Sequence, residues 1–179
     1  YGIPNTFPGE AAESEPECSP FIQAMWNIAA AQNGNENMLR RGLGAIIRNS
    51  AFYGFTNNRY SKADHLLNAC GHVAMILKVF AGINTSPNGI KFRPFIPDCF
   101  KGLKRIKDIR FRNATYHLSI YGTGNSIQSI SVDGKKTNSN FFSANITGVH
   151  EVEIHMQEGR KEPQQVNIAQ KTSRPFTPN

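Results

Sequence analysis

The 179-residue sequence predicts an α+β fold, with helices in its first half and antiparallel strands in its second. Three features lead to that class. Between residues 20 and 81 apolar side chains recur every three or four positions, the spacing that lines one face of a helix. From Pro87-Asn88-Gly89 onward the period shortens to two, the alternation of a half-buried strand. Residues that tolerate positive φ, such as Asp133-Gly134, then separate short alternating runs, as hairpins require.

Residues 1–18 hold Pro4, Pro8, Gly9 and Pro16 among small and acidic side chains, so they read as a loop. Ser19-Pro20 opens the first helix: a serine oxygen can accept an orphan N–H, and proline at the first helical position lacks a donor that would have no partner. Phe21, Met25 and Ile28 follow at helical spacing, with Ile22, Trp26 and Ala29 beside them, and Trp26 in mid-helix reads as core. Asn33-Gly34 supplies a left-handed stop. Asn35 caps a second helix, with Leu39, Leu43, Ile46 and Ile47 on one face and Arg40, Arg41 and Arg48 on the other, ending near Tyr53-Gly54. So short a connection makes the two helices antiparallel.

A third helix, capped by Ser61 or Asp64, runs to about Ala81-Gly82. Leu66, Leu67, Cys70, Val73, Ala74, Leu77 and Phe80 make it apolar nearly all round, which calls for neighbours on most sides. One preceding hairpin cannot supply them, so a larger helical array or a partner is expected. His65 and His72 share a face seven residues apart, a spacing that suits packing or solvation rather than a metal. Five strands follow, at Ile90–Ile96, Ile106–Arg112, Ala114–Tyr121, Ile127–Val132 and His150–Met156, with hairpin turns at 122–125 and at Asp133-Gly134. Tyr116, Leu118 and Ile120 point one way and Thr115, His117 and Ser119 the other, whereas Ile127 and Ile130 break the alternation and predict a bulge. The expected units are residues 1–83, 84–156 and a polar tail, 157–179.

The formal net charge is +7, and residues 91–112 concentrate eight basic side chains against Asp98 and Asp108. Without aromatic RNA-binding signatures or a helix-turn-helix pattern, this stripe reads as a solvated strand face, and no nucleic-acid partner is expected. No apolar run is long enough for a membrane span, because residues 66–83 contain Asn68, His72 and Lys78. Cys18, Cys70 and Cys99 are too far apart for a zinc knuckle or a redox pair and read as free structural thiols. Neither a metal nor a cofactor is expected. The start at Tyr1, without methionine or a signal-peptide pattern, suggests a fragment or a processed product.

Several stretches are carried in an unusual order. They include Tyr1-Gly-Ile-Pro-Asn-Thr-Phe-Pro8, Ser19-Pro-Phe-Ile-Gln23, Trp26-Asn-Ile-Ala-Ala-Ala31, Gly34-Asn-Glu-Asn37, Arg41-Gly-Leu-Gly-Ala-Ile46 and Gly89-Ile-Lys-Phe-Arg-Pro-Phe-Ile-Pro97. Phe111-Arg-Asn-Ala114, Gly124-Asn-Ser-Ile127, Ser131-Val-Asp-Gly-Lys135 and Gly148-Val-His150 continue the series. Together they resemble the end of bacterial six-hairpin glycosidases, of the glycogen-debranching-like and mannosylglycerate-hydrolase-like kind, related to trehalases and processing α-glucosidases. The resemblance implies the last helices of an (α/α)6 toroid followed by a small antiparallel β-sandwich. It also implies a carbohydrate partner, the rest of the toroid as a second partner, and a periplasmic or extracellular location.

Glycosidic cleavage uses two carboxyl groups, one acid and one base or nucleophile, about 6.5–9.5 Å apart in inverting enzymes. In the resembled family the acid comes from earlier helices, so this chain alone is expected to be inactive. The family's base is a glutamate in the loop that corresponds here to Thr56–Tyr60, where Asn58 or Arg59 stands and neither can act as a general base. At Glu17-Cys18-Ser19 relatives commonly carry a tryptophan that lines the sugar site. Asp64 could replace the base, although an N-cap role is favoured, and Glu15 and Glu17 suit a helix dipole better than catalysis. Tyr60, with Asn57, Asn58 and Arg59, offers a ring to stack on a sugar and polar groups for its hydroxyls. The alternative is a non-catalytic carbohydrate-binding or scaffold protein of the same fold.

Overall fold

In a computed structural model, which describes residues 20–53 and 65–158, Pro20 opens α1 (Pro20–Gln32). Ser19, the expected cap, lies outside the described residues. The helix stops as anticipated: Gly34 takes φ 69°, and the amides of Gly34 and Asn35 return to the carbonyls of Ala31 and Ala30. Asn35 then caps α2 (Glu36–Tyr53), its side-chain oxygen accepting the Met38 N–H at 3.0 Å. α3 (His65–Met75) continues into a wider π turn at Ile76–Phe80, where the Ala81 N–H reaches back to the Ile76 carbonyl. Gly82, at φ 64°, ends it beside the Arg93 backbone, whose approach leaves no room for a Cβ.

The helical faces differ from the expectation. Leu39, Leu43 and Ile46 of α2 are buried, but Ile47 is exposed. On α1 the fully buried positions include Gln23, Ala24, Asn27 and Ala30, while Phe21, Met25 and Ile28 are half-buried. Trp26, read from the sequence as core, is 44% exposed. The buried face of α1 is set by close contact with glycines on its neighbours. A Cβ at Gly42 would occupy the place of the Asn27 amide, and one at Gly71 would press on the Phe21 backbone. Such approach suits small and slender side chains, which is why α1 presents that stripe inward.

Among the described residues eight strands follow: β1 (Ile83–Ser86), β2 (Gly89–Phe92), β3 (Lys104–Phe111), β4 (Ala114–Tyr121), β5 (Ile127–Val132), β6 (Lys135–Thr137), β7 (Phe141–Ser143) and β8 (Gly148–Met156). They form a three-stranded sheet in the order β1-β2-β7 and a five-stranded sheet in the order β3-β4-β8-β5-β6. The short β1, β6 and β7 have too few residues to show a period and were not expected. The strand expected at Ile90–Ile96 ends at Phe92, since Pro94 has no N–H to give and Phe95 and Ile96 bond instead to Val79 and Gly124.

Two expectations about pairing are corrected. β8 runs parallel to β4 and antiparallel to β5, so the larger sheet is mixed rather than antiparallel. Consequently residues 122–125 do not close a hairpin. They lead from β4 to β5 around the place that β8 fills, held by paired Ile96 and Gly124 amides and carbonyls. The β5–β6 hairpin is as expected, with Asp133 and Gly134 at φ 50° and 76°. So is the bulge, which falls between Ile127 and Ser129.

The two sheets share one core. Ile90, Phe92 and Phe142 from the smaller meet Tyr116, Leu118, Ile120, Val152 and Ile154 from the larger. Phe92, Tyr116 and Phe142 pack edge to face or tilted, with centroids 5.4–5.7 Å apart. A second core joins the helices, with Phe95 entering it from the segment after β2. Half of the basic stripe lies on β3, an outer strand where Arg105, Lys107 and Arg110 are exposed and keep further strands from pairing.

Candidate functional site

Glu15, Glu17, Asn57, Asn58, Arg59, Tyr60 and Asp64 all fall outside the described residues, and the helices described beside them include a wall made by α1 packed against α3. That wall has its polarity turned inward. Between the helices Gln23 Nε2 donates to Asn27 Oδ1 at 3.1 Å, Asn27 Nδ2 reaches Met75 Sδ at 3.3 Å, and Asn68 Oδ1 accepts the Phe21 N–H at 3.3 Å. His72 is buried in the same seam, as packing predicts, and burial lowers its pKa, which keeps the ring neutral near pH 7.

The opposite side of the wall is apolar. Ile22 and Trp26 on α1, and Leu66, Leu67, Val73 and Ile76 on α3 and its π turn, are all exposed, Leu66 to 77%. The described residues of α1 and α3 contain no carboxylate, so neither helix supplies a carboxyl general acid or base there. Among the described residues no group of three or more His, Cys, Asp or Glu could hold a metal. Cys70 and Cys99 are free and exposed, rather than the structural thiols expected. No helix among the described residues is long and apolar enough to cross a membrane.

A second polar surface lies where the strands meet the end of α1. A hollow of about 560 Å³ there is walled by Asn33 at the end of α1, Lys91 on β2 and Arg93 just after it, Asn125 before β5, Asn140 and Gln157. Local structure fixes these groups. Asn140 donates through Nδ2 to the Phe92 carbonyl at 2.9 Å, Asn33 donates to the Ala29 carbonyl at 2.8 Å, and the Gln157 N–H bonds to the Ser126 carbonyl at 2.8 Å. Alternation about buried Phe92 sends Lys91 and Arg93 outward together. The bulge leaves Gln128 as the extra residue between Ile127 and Ser129, and so turns a side chain out at the rim.

Adjoining hollows of about 380 and 370 Å³ extend this surface, one past Tyr121 and His155, the other past Lys136 and Asn138. Tyr121 and His155 are partners across β4 and β8, their rings stacked at 4.6 Å and 8°. Lys91 and Arg93 stood out in the sequence only as the start of the basic stripe, and the amides scattered from position 33 to 157 carry no spacing signal; a bulge between Ile127 and Ile130 was readable. No family model matches this chain, and no curated protein matches it.

Proposed function

We propose that this chain is the C-terminal part of a six-hairpin-type glycoside hydrolase, acting on oligo- or polysaccharide bonds. Its helices form one side of the sugar cleft and its strands brace them. The observation that supports this reading is the exposed apolar face of Ile22, Trp26, Leu66, Leu67, Val73 and Ile76. So many exposed apolar side chains on two packed helices call for a covering partner, and the remaining helices of an (α/α)6 toroid are the occupant that the family resemblance supplies. The acid then comes from those helices. Asn57, Asn58, Arg59 and Tyr60 contact sugar, and either Asp64 or Glu17 takes the place of the missing base. The location is periplasmic or extracellular.

A second reading is a carbohydrate-binding or scaffold protein of the same fold without catalysis. It is favoured by the lack of any carboxylate at Thr56–Tyr60 and by the amide-rich surface on the strands. The test is the intact mass of the natural gene product, followed by sugar-release assays on α-glucosides and α-mannosides. A longer product that releases sugar supports the hydrolase; an inert one that binds glycans supports the second reading; one that does neither refutes both.

A further inference from the structure

The three hollows beside β5 are one track. Gln157 lines both the 560 and the 380 Å³ hollows, Gln128 the 380 and the 370 Å³ hollows, and Asn140 and Ile127 the 560 and the 370 Å³ hollows. Carboxamides are the commonest polar groups on its walls. An amide offers both donors and acceptors, the inventory that matches a run of sugar hydroxyls. Lys91, Arg93 and Lys136 add three cations, and Glu158 at the far end is the one carboxylate among the described lining residues. Such an excess of positive charge selects a ligand that carries negative charge. At the same end the stacked Tyr121 and His155 rings provide an aromatic platform, the surface on which the apolar face of a pyranose packs.

The geometry points to a binding site for an acidic oligosaccharide, such as a short uronic-acid chain, along this track. The carboxylates of the sugar meet Lys91 and Arg93, the hydroxyls meet Asn125, Gln128, Asn140 and Gln157, and a terminal ring stacks beside Tyr121. The hollows fall within the range of about 300–1,000 Å³ that small ligands occupy. A nucleic acid is the less suitable ligand. Its phosphates call for a succession of cations, and the denser cluster, Arg105, Lys107 and Arg110, sits on β3 at the other end of the sheet order. The site goes beyond the proposed hydrolase activity and does not rest on it, because every lining residue belongs to this chain and none is among the residues proposed to contact sugar or act as base in the cleft.

The test is calorimetric titration of the 179-residue chain with trigalacturonate, with maltotriose and with a single-stranded oligothymidylate. The expected result is binding of trigalacturonate. It should weaken at least about tenfold in Lys91→Gln/Arg93→Gln and several-fold in Tyr121→Ala, and stay unchanged in Arg105→Gln/Arg110→Gln. Lys91 and Arg93 are exposed, so the double variant keeps its fold, and circular dichroism checks this. Amide NMR shifts on adding trigalacturonate should map to Asn125, Gln128, Asn140 and Gln157. No binding, equal binding of maltotriose, tighter binding of the oligonucleotide, or an equal loss in the β3 variant would each overturn the proposal. Sugar release by a longer product is a separate readout, so the two readings fail independently.

Discussion

Replacing either of two glycines on α2 by alanine should move stability in opposite directions. An interior helical glycine costs about 0.5–1 kcal/mol relative to alanine, because it loses more backbone freedom on folding. At Gly44 an added Cβ meets nothing within 4 Å, so Gly44→Ala should keep that whole gain. For a chain of this length that is a rise in Tm of roughly 1–4 °C. At Gly42 the same methyl falls on the Asn27 amide and close to Gln23 Nε2. Overpacking costs about 1–3 kcal/mol, and disturbing the buried Gln23–Asn27 bond adds about 1–3 kcal/mol. After subtracting the helical gain, Gly42→Ala should destabilise by about 1–5 kcal/mol. Urea unfolding of the 179-residue chain measures both, and adding Asn27→Ala should recover at least about 1 kcal/mol of the loss through coupling. If Gly42→Ala stabilised as much as Gly44→Ala, the close approach of α1 and α2 would be wrong.

Three further outcomes are expected. His150 places Nδ1 at 2.8 Å from Asp133 Oδ2 and Nε2 at 3.1 Å from the Thr147 carbonyl, so both ring nitrogens face acceptors and the imidazolium is favoured. Its pKa is raised, chiefly by the Asp133 hydrogen bond; the stabilisation is therefore full below about pH 6.5 and is lost as pH rises through the higher folded value. The stability difference between wild type and His150→Gln should be about 0.5 kcal/mol near pH 5.5, discounted for the half-exposed Asp133, and shrink above neutrality; a pH-independent difference would refute the pairing.

The Tyr116 hydroxyl is buried without a partner among the described residues, and burial raises its pKa. Tyr116→Phe should leave urea stability unchanged or raise it by up to about 1 kcal/mol, whereas a loss above 1 kcal/mol would reveal a bond to that oxygen. Trp26 is the chain's single tryptophan and is 44% exposed, so acrylamide should quench its fluorescence readily in the 179-residue chain. A longer gene product carrying the remaining helices should quench several-fold less, and equal quenching would argue against burial of that face.

Local chemistry was legible because it depends on neighbours in sequence. Asn35 as a cap, Gly34 as a left-handed stop, the end of the third helix near Gly82, the Asp133-Gly134 turn and the bulge between Ile127 and Ile130 each follow from the conformations those residues allow over a few positions. Helical faces were not legible in the same way. Periodicity says that α1 has an apolar stripe, but not whether that stripe or the Gln23–Asn27 stripe meets α2 and α3. Two glycines on the neighbouring helices decided it, by permitting an approach that only slender side chains can fill.

The sequence by itself determined the class of the protein, the order of helices before strands, and most element boundaries, because propensity, period and capping act within one turn or one hairpin. Only the tertiary structure decided that β8 enters between β4 and β5, which turns an expected hairpin into a crossover. It alone turned Trp26 outward and gathered amides from positions 33 to 157 along one track. Strand order and the meeting of distant side chains arise from long-range pairing and packing, for which no run of neighbouring residues carries a signal.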